Sequence, residues 1–129
     1  MELGIKGAAE TVVVYENTAA AVGSGALEVF STPSMIALME KASRELVQPY
    51  LEEGQSTVGT RLEVSHVAAS PIGAHIRAES TLVEIDRRML TFEVKAYADG
   101  ELIGECRHQR CIIYAERFME KALAKQKKA

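Results

Sequence analysis

The stretch F-S-T-P-S-M-I-A-L-M-E, Phe30 to Glu40, with V-G-T-R-L-E-V-S-H further on, Val58 to His66, decides how this chain folds. Thr32 is a natural N-cap, and Pro33 suits the first position of a helix. Met35, Leu38, Met39, Ala42 and Leu46 then recur at helical spacing until Pro49 to Gly54 ends the run. From Ser56 the period changes to two. Val58, Thr60, Leu62, Val64, His66 and Ala68 share one face, read as the core face, while Gly59, Arg61, Glu63 and Ser65 share a polar one.

Before the helix, Thr11 to Tyr15 (T-V-V-V-Y) is β-branched and aromatic, which predicts a first strand. Asn17 to Ala26 is small and polar and reads as a connection or flap. Beyond the turn at Pro71-Ile72-Gly73, Ala74, Ile76, Ala78, Ser80 and Leu82 make a second inward row, opposed by His75, Arg77 and Glu79. Asp86-Arg87-Arg88 turns the chain into a third strand with Leu90, Phe92, Val94 and Ala96 inward. Asp99-Gly100 is the strongest hairpin signal, and a last long strand runs from about Leu102 to Tyr114. Ala115 to Lys128 is expected to form a terminal helix or tail, with lysines where the helix dipole favours them. One early strand, one long helix and four consecutive antiparallel strands predict a single α+β domain over residues 1–129.

Composition narrows the function. The chain is 47% hydrophobic and 26% charged with a net charge of -3, which is ordinary for a globular domain and offers no basic surface for nucleic acid. Its apolar runs fall far short of the ~20 residues that cross a membrane. Met1 to Glu10 has no apolar signal-peptide core, so a cytoplasmic location is expected. Cys106 and Cys111 lie in one predicted strand at odd separation and point to opposite faces, so they do not pair. No H-E-x-x-H or other close ligand pair is present, and no metal or cofactor is expected.

Three polar residues sit among apolar ones. Glu40 lies within the helix with Arg44 one turn on, so it is either one half of a solvated ion pair worth a few tenths of a kcal/mol or a partly desolvated base with a raised pKa. Thr32 caps the helix, and its hydroxyl is also free to meet a substrate. Eight residues separate it from Glu40, about 12 Å of helical rise, so contact within one subunit is not expected. His66 is either a satisfied core histidine or a site residue facing the helix. His75 belongs to the surface row, and the place of His108, on the face shared by Cys106 and Arg110, is open.

The order Thr32, Glu40, Gly59, His66, Arg110 resembles the hotdog-fold thioesterases closest to the fluoroacetyl-CoA thioesterases, over about Thr11 to Phe118. The resemblance implies a curved antiparallel sheet wrapped around one long helix, and a homodimer or dimer of dimers with sites at subunit junctions. It also implies hydrolysis of an acyl-CoA thioester, with coenzyme A entering as part of the substrate. Thr32, Glu40 and His66 match the catalytic set, and Gly59 and Arg110 match substrate-contacting positions, with the Gly59 N–H suited to the thioester oxygen. The related enzymes carry gate-lining aromatics before the threonine, where this chain has Gly23-Ser24-Gly25-Ala26 with Leu27 and Phe30. That difference implies a more open pocket for another short or medium acyl group. A non-catalytic acyl-CoA-binding or sensing module is the alternative. Arg61, Arg87 and Arg88 are further candidates for the phosphates of coenzyme A.

Overall fold

The computed structural model describes residues 1–126. Its elements are β1 (Lys6–Val12), a 3-10 turn at Tyr15–Asn17, α1 (Ala19–Val22), α2 (Thr32–Val47), a second 3-10 turn at Gln48–Tyr50, β2 (Gln55–His66), β3 (His75–Asp86), β4 (Met89–Ala98), β5 (Glu101–Tyr114) and α3 (Ala115–Ala124). The strands form one antiparallel sheet in the order β1-β3-β4-β5-β2. Register shifts at Gly59/Arg61, Leu82/Glu84 and Ala96/Tyr97 insert bulges that bend it. The curved sheet wraps α2, the hotdog arrangement of the α+β class.

The helix is held by its apolar stripe. Met35, Leu38, Met39, Ala42 and Val47 are buried against Ile76, Ala78, Leu82, Leu90, Phe92, Val94 and Ala96 of the sheet. Each large side chain so buried contributes about 1.5–3 kcal/mol. On the outer face, Arg77 with Glu10 and Glu79, Arg107 with Glu93, and Lys95 with Glu105 are exposed ion pairs, each worth only about 0–1 kcal/mol. Burial therefore decides the fold, and the outer charges keep the sheet's second face wet. At the buried seam Ser43 donates to the Met39 carbonyl at 3.0 Å and shares a 2.9 Å bond with Ser80, so neither hydroxyl is stranded.

Three expectations are corrected. The first strand lies earlier than Thr11 to Tyr15, because the small residues Gly7, Ala8 and Ala9 let β1 lie close under α2, with Leu46 and Ala42 directly above Gly7. Ser31, not Thr32, caps α2, its hydroxyl accepting from the Ser34 N–H at 3.1 Å. Thr32 is the first helical residue, and its side chain is left for other work. In β2 the bulge after Gly59 reverses the alternation: Thr57 and Gly59 face the helix before it, and Leu62, Val64 and His66 after it. Val58 and Thr60 are therefore not part of the inner row, and Gly59 is.

The other strands, the hairpin at Asp99-Gly100 and the opposed cysteines follow the sequence reading; Cys106 is buried, Cys111 half-buried, and both are free. The terminal helix covers Ala115–Ala124, and the expected end at Lys128 lies outside the described residues. No helix among the described residues is long and apolar enough to cross a membrane.

Candidate active site

Two polar centres lie along α2. The first is at its mouth, where the exposed Thr32 hydroxyl shares a 2.8 Å hydrogen bond with His66 Nδ1 at the end of β2. Because Ser31 supplies the cap, Thr32 loses nothing by turning its hydroxyl to the histidine. It also stands at the positive end of the helix dipole, where developing negative charge is favoured. His66 Nε2 is buried with no hydrogen-bond partner, and burial lowers the imidazole below its ordinary pKa. The ring is therefore largely neutral near pH 7, with one nitrogen engaged and the other buried without a partner.

The second centre lies two turns further along. Glu40 Oε2 accepts from Arg110 Nη1 at 3.0 Å, and its side chain remains 37% exposed. The i,i+4 pairing with Arg44 does not form; Arg44 lies 3.8 Å from Glu45 instead. Arg110 is 5% exposed and donates from Nε to Thr57 Oγ1 (2.8 Å), from Nη2 to the Thr57 carbonyl (2.9 Å) and from Nη1 to His108 Nε2 (3.1 Å). Burial lowers the guanidinium's pKa while the Glu40 carboxylate opposes that, and an arginine stays charged throughout. Deleting Glu40 would leave the buried Arg110 charge without its carboxylate partner. Arg110 thus holds Glu40 from below, with little of it left to meet a substrate.

Gly59 belongs to this centre. A β-carbon there would come within 2.6 Å of Glu40 Oε2, so the carboxylate occupies space that only a glycine leaves open. Glu40 also faces Cys106: burial first, and the carboxylate's charge second, push that thiol up to about 11. His108, whose place the sequence left open, is fully buried at this centre; its alternation with Cys106 and Arg110 was the signal that it faces the helix.

Within one protomer, then, Thr32 joins His66 and Glu40 joins Arg110, His108 and Gly59, but the two sets do not meet. Leu62, Val64 and His66 separate along β2 at about 3.3 Å per residue, so His66 stands some six residues of strand from Gly59. His66 faces the helix, as its place on the strand suggested, and meets it at Thr32, while Glu40 meets Arg110.

A depression of about 290 Å³ opens at the first centre, lined by Ser24, Phe30, Thr32, His66, Val67 and Ala68. A larger one, about 620 Å³, lies on the sheet's outer face among Lys6, Arg77, Glu79, Glu93 and Lys95. Apart from Lys6, these residues are engaged in the ion pairs described above, and no nucleophile or base stands over the depression, so size is a poor guide here. Arg61 is paired with Glu63, and Arg87 and Arg88 sit at the β3–β4 turn. Among the described residues no three His, Cys, Asp or Glu side chains converge as metal ligands.

The sequence pattern of the fluoroacetyl-CoA-specific thioesterase family matches residues 13–116. The fluoroacetyl-CoA thioesterase of Streptantibioticus cattleyicolor is 37% identical over 98 residues, covering 76% of this chain and 70% of that one. A solved fluoroacetyl-CoA thioesterase superposes with a TM-score of 0.91 at 31% identity over 97% of each chain. A thioesterase superfamily member from Thermus thermophilus superposes with a TM-score of 0.86 at 29% identity, over 98% of this chain and 93% of the other.

Proposed function

This chain belongs to the fluoroacetyl-CoA-specific thioesterase family and hydrolyses an acyl-CoA thioester, and we propose that Thr32, Glu40 and His66 carry the reaction. The observation that supports this most is the 2.8 Å bond between Thr32 and His66 at an open helix mouth, beside an imidazole nitrogen with nothing to bind.

The site is proposed to be shared by two subunits. β2 is an edge strand, its outer side unpaired. Antiparallel pairing with a second β2, about a two-fold axis midway between Gly59 and His66, carries His66 to Gly59 of the partner subunit. Glu40 of the partner subunit then comes to the His66 end of the strand. A homodimer is the smallest assembly that completes the site.

In the reaction Glu40 takes a proton from water as the water oxygen attacks the thioester carbonyl carbon. Thr32 and His66 hold the acyl group and relay the proton, and the Gly59 N–H receives the oxyanion. Collapse expels coenzyme A as a thiolate, a good leaving group because thiols ionise near pH 8.5. General base action contributes on the order of 10²–10⁴ in rate. Direct attack by Glu40 through an anhydride is the competing form; a single turnover in ¹⁸O-water that leaves the label in the Glu40 carboxylate identifies it. The route draws only on these side chains and a backbone amide, with coenzyme A as part of the substrate.

The acyl group is proposed to be short or medium in length and not selectively fluoroacetyl. Of the stretch 23–26 only Ser24 lines the pocket and brings no ring to it, Phe30 is the one aromatic in the lining, and Leu27 is 69% exposed. Cytoplasmic residence fits two cysteines that remain free. Free-thiol release from a panel of acyl-CoAs, acetyl through long-chain and fluoroacetyl, tests the reading with E40Q as control. Turnover of one length class, lost in E40Q, is the expected result. Coenzyme A binding without any turnover would instead make the protein a carrier or sensor.

A further inference from the structure

We infer that His108 is a positioning residue for Glu40, acting through Arg110 as a neutral imidazole protonated on Nδ1. Nδ1 lies 2.9 Å from the Arg61 carbonyl, which only accepts, so that nitrogen carries the hydrogen. Nε2 lies 3.1 Å from Arg110 Nη1, which only donates, so that nitrogen is bare. One tautomer satisfies both bonds. The 3.8 Å approach of Nε2 to Glu40 is accordingly no ion pair.

The geometry gives this tautomer a task. Arg110 spends its Nε hydrogen and one Nη2 hydrogen on Thr57, and its two Nη1 hydrogens on Glu40 and His108. With His108 accepting one Nη1 hydrogen, the other is aimed at Glu40 Oε2, and the planar fork cannot rotate. The Arg61 carbonyl that anchors His108 stands just past the bulge that brings Gly59 under the carboxylate, and His108 Cε1 lies 3.2 Å from where a Gly59 β-carbon would be. His108 so ties three elements, β2, β5 and α2, around one oxygen of Glu40. The Phe92 ring, 6.2 Å away centre to centre, helps to enclose the imidazole. His108 is 0% exposed and touches no substrate.

Two substitutions separate the roles of the two nitrogens. The amide nitrogen of Asn overlays Nδ1, so H108N keeps the bond to the Arg61 carbonyl and loses the acceptor for Arg110. The amide oxygen of Gln reaches the place of Nε2, so H108Q keeps that acceptor and loses the other bond. Resting on the thioesterase reading, the expected result is a fall in kcat of about thirtyfold in H108N with KM within about threefold, and recovery in H108Q to within about fivefold of wild type. Equal losses in both variants overturn the inference and leave His108 a packing residue. A readout free of substrate accompanies the kinetics: ring ¹⁵N shifts of the wild-type protein at pH 7 must show Nδ1 protonated and Nε2 bare, and the ¹³C carboxyl titration of Glu40 must move in H108N but not in H108Q. A wild type that hydrolyses no acyl-CoA defeats the proposed function alone, and these spectra then decide on His108; an Nε2-protonated ring, or an unmoved Glu40 titration, overturns it.

Discussion

Glu40 Oε2 lies where a β-carbon on residue 59 would intrude to 2.6 Å, so the helix carboxylate and the strand glycine are one design. The bulge in β2 turns Gly59 inward, its missing side chain leaves the space, and Arg110 holds Glu40 in it.

Gly59→Ala is therefore expected to keep its fold and lose its chemistry. The methyl group displaces the carboxylate, and kcat/KM falls about 10²-fold or more while the far-UV spectrum and native mass match those of the wild type. Full activity in this variant would show that Glu40 has room to act elsewhere.

Mixing two inactive variants tests the shared site. His66→Ala and Glu40→Gln protomers, unfolded together and refolded at equal amounts, form mixed dimers in which His66 of one chain meets Glu40 of the other. About a quarter of wild-type activity should return, since half of the dimers are mixed and each has one intact site. No recovery, with mixed dimers confirmed by mass, places the whole site within one subunit.

Ser31 and Thr32 should separate stability from catalysis. Ser31→Ala removes the helix cap and is expected to cost about 1 kcal/mol in chemical denaturation. Thr32→Ala leaves the cap in place, so stability changes little, while kcat drops about tenfold or more and Thr32→Ser restores most of it. A large stability loss in Thr32→Ala would return the capping role to Thr32.

Acid should weaken the fold through the histidines. Burial holds both His66 and His108 below the usual imidazole pKa of about 6.5, so in the acid range the unfolded chain binds more protons than the native one. Their contribution is fully present above pH ~6.5 and is lost as pH falls from there through the lower folded values. Denaturant midpoints measured from pH 8 to pH 5 should fall, and His108→Gln should flatten part of the decline. Wild-type stability that rises on acidification through this range contradicts the assignment.

The buried thiol gives a simpler check. With its pKa pushed up to about 11 and little exposure, Cys106 should resist a thiol reagent at pH 8 until the protein unfolds. Rapid native labelling at Cys106 would mean that the helix and sheet part easily around Glu40.

Much of this was legible from the chain. Met35, Leu38, Met39 and Ala42 announced the helix because a 3.6-residue period survives any arrangement of its neighbours. Ile76, Ala78, Ser80 and Leu82 announced β3 because its inner face is uniformly small or apolar. The pairing in β2 misled for a definite reason: one bulged residue, Thr60, shifts the alternation, and nothing in V-G-T-R marks it. Ser31 and Thr32 are equally good caps by type, and only the path of the chain into α2 chose between them.

Local preference and hydrophobic period thus determined, from the sequence alone, the elements, the α+β class and the polar residues out of place in an apolar setting. Which of those residues share a centre was decided by tertiary structure. Arg110 and Glu40 are 70 positions apart and meet only because the sheet curves under α2, while His66, at the far end of β2 from Gly59, meets Thr32 instead. Residue types and spacings along a chain carry no record of where a bulge turns a strand or which distant side chains a curved sheet brings together, because those outcomes depend on packing summed over the whole fold.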